Sequence, residues 1–241
     1  MKVVGIVGYK NSGKTTLALK IAKQLSSRGY RVAAIKHVSE EIEQDDTDSG
    51  KYRSLLGQVV LAHPKKTVIF LQDTKNIEQV INFLDADIII VEGFKNESTF
   101  PKIVCLREPW EKEKLLNGLE LCTASLFQEK EQKGIADYSI LSETDIGKMT
   151  QLIINRAFKL PNINCGACGF SDCFEMAKSI VLGERSIKDC VALNSDVVVN
   201  IEGKKIAMNP FIAKMIKNTI YGLLSPLKGF KPGNIDIRLK K

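Results

Sequence analysis

Eight residues near the start of the chain combine backbone freedom, an ammonium group and a hydroxyl at a spacing suited to phosphate. They are Gly8-Tyr9-Lys10-Asn11-Ser12-Gly13-Lys14-Thr15, and they fit the pattern Gly-x4-Gly-Lys-[Ser/Thr]. Glycines let a chain wrap closely around phosphates so that its N–H groups point inward. A helix beginning at the second glycine adds partial positive charge. Lys14 is placed to reach the β- and γ-phosphates of a nucleoside triphosphate, and Thr15 to ligate magnesium. The flanks agree: an apolar run, Val3 to Val7, ends at Gly8, and an amphipathic segment starts at Gly13 or Lys14.

Magnesium needs an acidic contact as well. The segment Asp87-Ile-Ile-Ile-Val-Glu92-Gly93 reads as a buried strand ending in a carboxylate. In a parallel sheet that end lies on the edge where ligands bind, so Glu92 is the candidate to hold the metal or orient an attacking water. Asp87, at the strand's start, belongs to the opposite edge and reads as a cap or surface charge. Lys36-His37 ends another strand on the ligand edge. Lys36 could contact phosphate, whereas His37 fits a structural hydrogen bond as well as a ligand role. The acidic loop Asp45-Asp46-Thr47-Asp48-Ser49-Gly50 follows. Such a charge run is ordinarily solvated surface; its position suggests a switch-like contact to magnesium, with Asp48 the candidate.

Four cysteines form a second chemical cluster, spaced Cys165-x2-Cys168-x4-Cys173-x16-Cys190. Four thiolates suit zinc or an iron–sulfur cluster. Structural zinc sites more often pair two Cys-x2-Cys knuckles, and the second knuckle is missing. Three ligands within nine residues, with Gly166 and Gly169 freeing the backbone, favour a cubane over zinc and over disulfides. The segment resembles the Cys-Gly-x-Cys-Gly four-iron four-sulfur domain attached to anaerobic and corrinoid proteins. A structural staple, electron transfer or redox sensing, and docking to a partner all remain open as roles. Cys105 and Cys122 fall in apolar strand-like runs and read as inert core residues.

The elements that must position these groups follow from periodicity. Strands are expected at 3–7, 31–36, 59–62, 68–71, 87–91, 102–106, 119–124 and 138–141. Helices are expected at 15–27, just after Gly50, at 77–84 and at 144–158. Alternating strands and helices predict an α/β fold, a P-loop NTPase with a mostly parallel sheet covered by helices on both faces. At Leu160-Pro161 the pattern changes. Residues 1–160 are read as the nucleotide-binding domain and 161–241 as a small α+β iron–sulfur domain. In the latter a helix over 174–182 joins the third and fourth cysteines, and strands 197–201 and 205–208 flank a turn at Glu202-Gly203-Lys204. A helix starts at Asn209-Pro210, and a last strand is expected over 235–239.

Composition bounds the rest. Hydrophobic residues make up 44% of the 241, enough for a core and against disorder. No apolar run approaches the ~20 residues of a membrane span, and the first residues do not resemble a signal peptide, so a cytoplasmic protein is expected. The net charge of +7 is concentrated after residue 160, where 12 basic residues meet 7 acidic ones. This mild bias lacks the tight basic stripe and stacking aromatics of a nucleic-acid binder.

Four segments together resemble the molybdopterin-guanine dinucleotide biosynthesis protein B family: residues 8–16, Ile35-Lys36-His37, Val91-Glu92-Gly93-Phe94-Lys95, and Pro101-Lys102-Ile103 with Arg107. The resemblance covers roughly residues 1–160. It implies a GTP-binding, slowly hydrolysing homodimer that assists the guanylyltransferase adding GMP to molybdopterin. Gly8, Tyr9, Lys10, Asn11, Ser12, Gly13, Lys14, Thr15 and Thr16 would hold the GTP phosphates and Glu92 would sit at Mg2+. Lys36, His37, Asp48 and Lys95 would line the site, with Lys14 and Glu92 the catalytic pair. No Asn-Lys-x-Asp guanine signature is present, so guanine specificity rests on the resemblance. A different class of function shares the motifs: an iron–sulfur ATPase inserting metallocofactors into a redox enzyme. A small-molecule kinase would need an arginine-rich lid, and Arg53 and Arg107 are too few and too scattered.

Overall fold

The computed structural model describes residues 1–38, 51–52, 56–71, 76–126, 134–201, 204–231 and 233–239. The chain divides into two units, Met1–Lys159 and Leu160–Lys241.

In the first unit the elements run β1 (Lys2–Gly8), α1 (Lys14–Ser27), β2 (Val32–Lys36), β3 (Gln58–His63), β4 (Lys66–Leu71), α2 (Ile77–Asn82) and β5 (Ile88–Glu92). They continue with β6 (Lys102–Leu106), α3 (Glu111–Leu115), β7 (Glu120–Ser125), β8 (Tyr138–Ser139) and α4 (Glu143–Arg156). Six strands make one sheet in the order β2-β5-β1-β6-β7-β8, and every pairing in it is parallel. All carboxyl ends therefore share one edge.

Helices cover both faces, which is why Ile88 to Val91 read as unbroken apolar sequence and are all buried. On one face α1 places Leu17, Ile21 and Leu25 against Val4, Ile6 and Ile90, with Ile146, Met149 and Ile153 of α4 beside them. Each such side chain, fully buried, stabilises the unit by roughly 1.5–3 kcal/mol. On the other face Ile77 and Ile81 of α2 pack with Phe100 on Val3, Ile89 and Val91. Asn76 starts α2 with a reciprocal capping box to Gln79. Asp87 takes the structural role expected of it: Arg31 bonds it through its backbone N–H and its guanidinium, both at 2.9 Å.

Two expectations change in the first unit. Strands β3 and β4 do not join the main sheet; they pair antiparallel as a sheet of their own, His63 opposite Lys66. Only Pro64 and Lys65 separate them, and so short a connection can reverse the chain but cannot cross over to a parallel neighbour. Strand β8 ends at Ser139, because Leu141 turns out into solvent before Ser142 caps α4. The helix expected just after Gly50 falls mainly outside the described residues.

The second unit contains α5 (Cys173–Leu182), a 3-10 turn (Ile187–Asp189), a small antiparallel pair β9 (Val199–Ile201) and β10 (Lys204–Ile206), and α6 (Pro210–Leu224). Asp172 caps α5, its side chain accepting from Glu175 N at 2.9 Å. Asn209 caps α6, with Pro210 in the first turn. The hairpin turn at Glu202-Gly203 lies outside the described residues. Residues 235–239 form no strand; Ile237 and Leu239 project into solvent and find no edge to pair with among the described residues. Among the described residues no helix is long and apolar enough to cross a membrane.

Candidate functional site

Strand β1 delivers the Gly8–Thr15 loop to the carboxyl edge of the sheet. Gly13 is the N-cap of α1 with φ of 85°, and a Cβ there would lie 2.9 Å from both Ile140 Cδ1 and Leu126 Cγ. Only glycine satisfies both the left-handed backbone and the close approach. Ser12 is buried, and its Oγ has no hydrogen-bond partner among the described residues. A buried, unmatched hydroxyl inside a loop of this shape suits an anionic oxygen. Lys14 spans the loop, its Nζ donating to the Tyr9 carbonyl at 2.5 Å. Burial lowers its pKa below the ordinary lysine value; Glu92 opposes that shift, while Lys95 and Lys36 add to it.

Parallel register brings the other groups to this loop. Glu92 is paired with Ile6 of β1 on one side and Lys36 of β2 on the other. Thr15 Oγ1 donates to Glu92 Oε1 at 2.6 Å. Lys36 Nζ lies 3.5 Å from the same Oε1 and 3.4 Å from Thr15 Oγ1. A hydroxyl and a carboxylate side by side at the start of α1 are the two protein groups a P-loop magnesium ion requires, the remainder coming from phosphate and water.

Beyond Glu92 the chain turns sharply. Gly93 has φ of 93° and Phe94 of 51°. A Cβ on Gly93 would fall 2.8 Å from His37 Cβ. The His37 ring meets Phe94 edge-on at 4.9 Å, and His37 N donates to Glu92 O at 2.9 Å. His37 thus buttresses the turn after Glu92. The turn carries Lys95 back over the loop, its Nζ 4.0 Å from the centre of the Tyr9 ring. Lys10, Asn11, Thr15 and Thr16 are exposed around the loop, and Asn11 adopts a left-handed φ of 63°. Asp48 lies outside the described residues.

The roles of three groups, Glu111, Trp110 and Lys102, escaped the reading of the sequence. Glu111 is fully buried and clamps Arg107 through Nε at 2.8 Å and Nη2 at 2.7 Å; Arg107 in turn donates to the Lys10 carbonyl at 3.1 Å. The signal was an acid four residues after an arginine. Trp110, half exposed, lies 5.8 Å from the Tyr9 ring. Lys102 is buried, with burial taking its pKa down to about 8, and its Nζ donates to the Lys95 carbonyl at 2.7 Å.

In the second unit the four spaced cysteines line one pocket, with Leu160, Ile163 and Met176 as its apolar walls. Gly166 and Gly169 are both left-handed. Cys173 is the first residue of α5, and its N–H donates to Asn164 Oδ1 at 2.9 Å. Burial raises the Cys190 thiol, while N–H groups of Leu193 and Ala192 directed at its sulfur lower it. Among the described residues no three His, Cys, Asp or Glu side chains converge tightly enough for a single ion. Cys105 and Cys122 are buried in the first unit, and burial pushes each thiol up to about 12, as suits inert core residues.

An all-parallel sheet with this glycine-lysine loop on its central strand, and a carboxylate ending the adjacent strand, defines the P-loop NTPase fold. The family model for "Molybdopterin guanine dinucleotide synthesis protein B" matches residues 3–125, and one described as "Putative Fe-S cluster" matches residues 160–192. The chain belongs to the molybdopterin guanine dinucleotide synthesis protein B (MobB) family. It is 34% identical to the "Putative molybdopterin-guanine dinucleotide biosynthesis adapter protein" of Methanocaldococcus jannaschii, over 99% of this chain and 97% of that one. With the "Molybdopterin-guanine dinucleotide biosynthesis adapter protein" of Haemophilus influenzae it shares 33% identity, over 44% of this chain and 64% of the other. The crystal structure of Bacillus subtilis MobB superimposes with a TM-score of 0.52 at 22% identity, covering 64% of this chain and 98% of that one.

Proposed function

We propose that the chain is a GTP-binding adapter, with slow GTPase activity, in molybdopterin-guanine dinucleotide biosynthesis, and that it carries a four-iron four-sulfur cluster. The observation that carries the nucleotide part is the Thr15–Glu92 contact of 2.6 Å beside the Gly8–Thr15 loop. Loop N–H groups and Lys14 bind the phosphates, and Thr15 with Glu92 holds magnesium. The metal neutralises phosphate charge when bound. Glu92 is also the candidate to orient the attacking water, and Arg107, anchored by Glu111, fixes the Lys10 carbonyl and so the outer wall of the loop. Lys36, His37 and Lys95 line the rim. Guanine as the base is supported by family membership and by the names of the relatives.

The cluster reading rests on the cysteine spacing, the matching family model and the shared pocket. A single zinc ion would require four sulfurs within about 2.3 Å of one point. A cubane gives each thiolate its own iron, so four cysteines lining one pocket without converging on a single point suit it. N–H groups aimed at Cys190 are of the kind that tune cluster potential. Residues 1–160 then form the nucleotide domain and 161–241 the cluster domain. The partner is the guanylyltransferase or a redox enzyme that receives the finished cofactor. A homodimer is supported by the exposed apolar pair Val60 and Ile69, opposite each other on the β3–β4 hairpin.

Competition binding tests the nucleotide reading: GTP should displace a fluorescent GDP analogue in a magnesium-dependent way, and ATP should not. Equal competition by ATP removes the guanine assignment and favours the ATPase reading. Anaerobic purification tests the cluster: a brown protein with stoichiometric iron and sulfide supports it, and a colourless protein holding zinc refutes it.

A further inference from the structure

Lys36 is placed in an unusual way for a phosphate ligand. Its Nζ stands 3.5 Å from Glu92 Oε1 and 3.4 Å from Thr15 Oγ1, and these two oxygens are themselves 2.6 Å apart. The ammonium therefore caps the two protein groups assigned to magnesium. Register enforces this: Lys36 and Glu92 are direct partners on adjacent parallel strands. The Glu92 side chain is 12% exposed and that of Lys36 54%. The carboxylate is thus largely withdrawn from water, while the lysine reaches it from the solvent side on a flexible stem.

We propose that Lys36 is a built-in cation that occupies the Thr15–Glu92 pair until a divalent ion displaces it; the inference rests on the magnesium–nucleotide reading above. A divalent cation taken up by Thr15 and Glu92 would compete with the ammonium for the same carboxylate oxygen and would repel it. Lys36 must swing away, and its half-exposed stem lets it do so at little cost. Before the exchange it neutralises Glu92, which would otherwise repel an incoming polyphosphate. After the exchange its amine is released beside Thr15, at the rim where phosphate oxygens arrive. Metal affinity is then set by competition with a side chain of this protein, and metal arrival is coupled to freeing a lysine for the phosphates.

The full chain, Lys36→Met and Lys36→Gln are compared by titrating Mn2+, with GDP at saturation and again without nucleotide, and reading the free-ion EPR signal. GDP binding in chelator is measured alongside, and circular dichroism checks folding. The exchange predicts a half-saturating Mn2+ concentration roughly two- to fivefold lower in both variants, the scale of a partly exposed charge pair. The same ordering is expected without nucleotide, because the lysine competes for the two oxygens rather than for phosphate. An unchanged or higher midpoint, or a shift seen only with GDP, overturns the inference and leaves the nucleotide reading standing. Failure of the wild type to bind GDP with or without metal overturns both.

Discussion

Lys102 Nζ donates to the Lys95 carbonyl at 2.7 Å. Through this bond a buried lysine in the middle of the sheet supports the turn whose other end lays Lys95 over Tyr9. Lys102 pairs in register with Gly5, where an added Cβ would come within 3.1 Å of the lysine stem. The absence of a side chain at Gly5 makes room for the lysine, and the lysine positions the rim of the site.

Burial takes the Lys102 pKa from 10.5 down to about 8, with Glu120 and Glu97 opposing the shift. Between those two values the unfolded chain binds a proton that the folded chain has released, so stability rises with pH across that window. Below pH 8 the charged lysine costs on the order of 3 kcal/mol relative to an unshifted one. In Lys102→Met the rise in stability between pH 8 and 10 should disappear. Urea denaturation of the two proteins across that range isolates the effect, since other alkaline titrations cancel in the difference. An equal slope in both proteins would count against a buried charged lysine. The variant should also bind GDP more weakly, having lost the support under Lys95.

Arg107 and Glu111 should respond unequally to mutation. Removing the arginine side chain leaves a fully buried carboxylate whose remaining partner among the described residues is the backbone N–H of residue 107 at 2.8 Å. Arg107→Met is therefore expected to cost about 3 kcal/mol. Glu111→Gln leaves an arginine that is 40% exposed and can turn to water, for a loss of about 1 kcal/mol. Chemical denaturation of both variants gives the order directly, and the reverse order would contradict the burial of Glu111.

Lys14→Ala should abolish nucleotide binding, because it removes the ammonium that spans the loop to the Tyr9 carbonyl. Gly13→Ala should do the same by a different route. Its Cβ meets Ile140 and Leu126 at 2.9 Å on a left-handed backbone, at a stability cost of about 1–3 kcal/mol. Thermal melts separate the two: Lys14→Ala should keep the wild-type melting temperature and Gly13→Ala should lower it.

The hairpin predicts an oligomeric consequence. Val60 and Ile69 are both about three-fifths exposed on paired strands. Ile69→Asp should leave the first unit folded, since neither residue belongs to its core, and should shift the protein towards monomer in light scattering. Unchanged dimers, or monomers in the wild type, would remove the hairpin as the contact surface.

Cys190→Ser should reduce bound iron more than Cys105→Ser, which lies in the inert core of the other unit. Iron and sulfide analysis after anaerobic purification provides the measurement. Equal iron in the two variants would reject Cys190 as a ligand.

The sequence alone determined what depends on neighbours along the chain. The Gly8–Thr15 loop, the apolar strand ending at Glu92 and the helix started by Asn209-Pro210 are governed by backbone preferences and periodicity within a few residues. The cysteine spacing was legible for the same reason, as was the alternation that specifies an α/β sheet. Tertiary structure decided what depends on strand order and register, which periodicity does not encode. Residues 58–71 read as two more strands, but a two-residue turn folded them onto each other and kept them out of the parallel sheet. Residues 235–239 have a strand's alternation and no edge to bond. Lys102 looked like an ordinary strand residue until its register opposite Gly5 buried it under the Lys95 turn. Glu92 was legible as a strand end. That its carboxylate meets Thr15 on one side and Lys36 on the other follows only from β5 lying between β1 and β2, because parallel neighbours are chosen by packing between residues far apart in the chain.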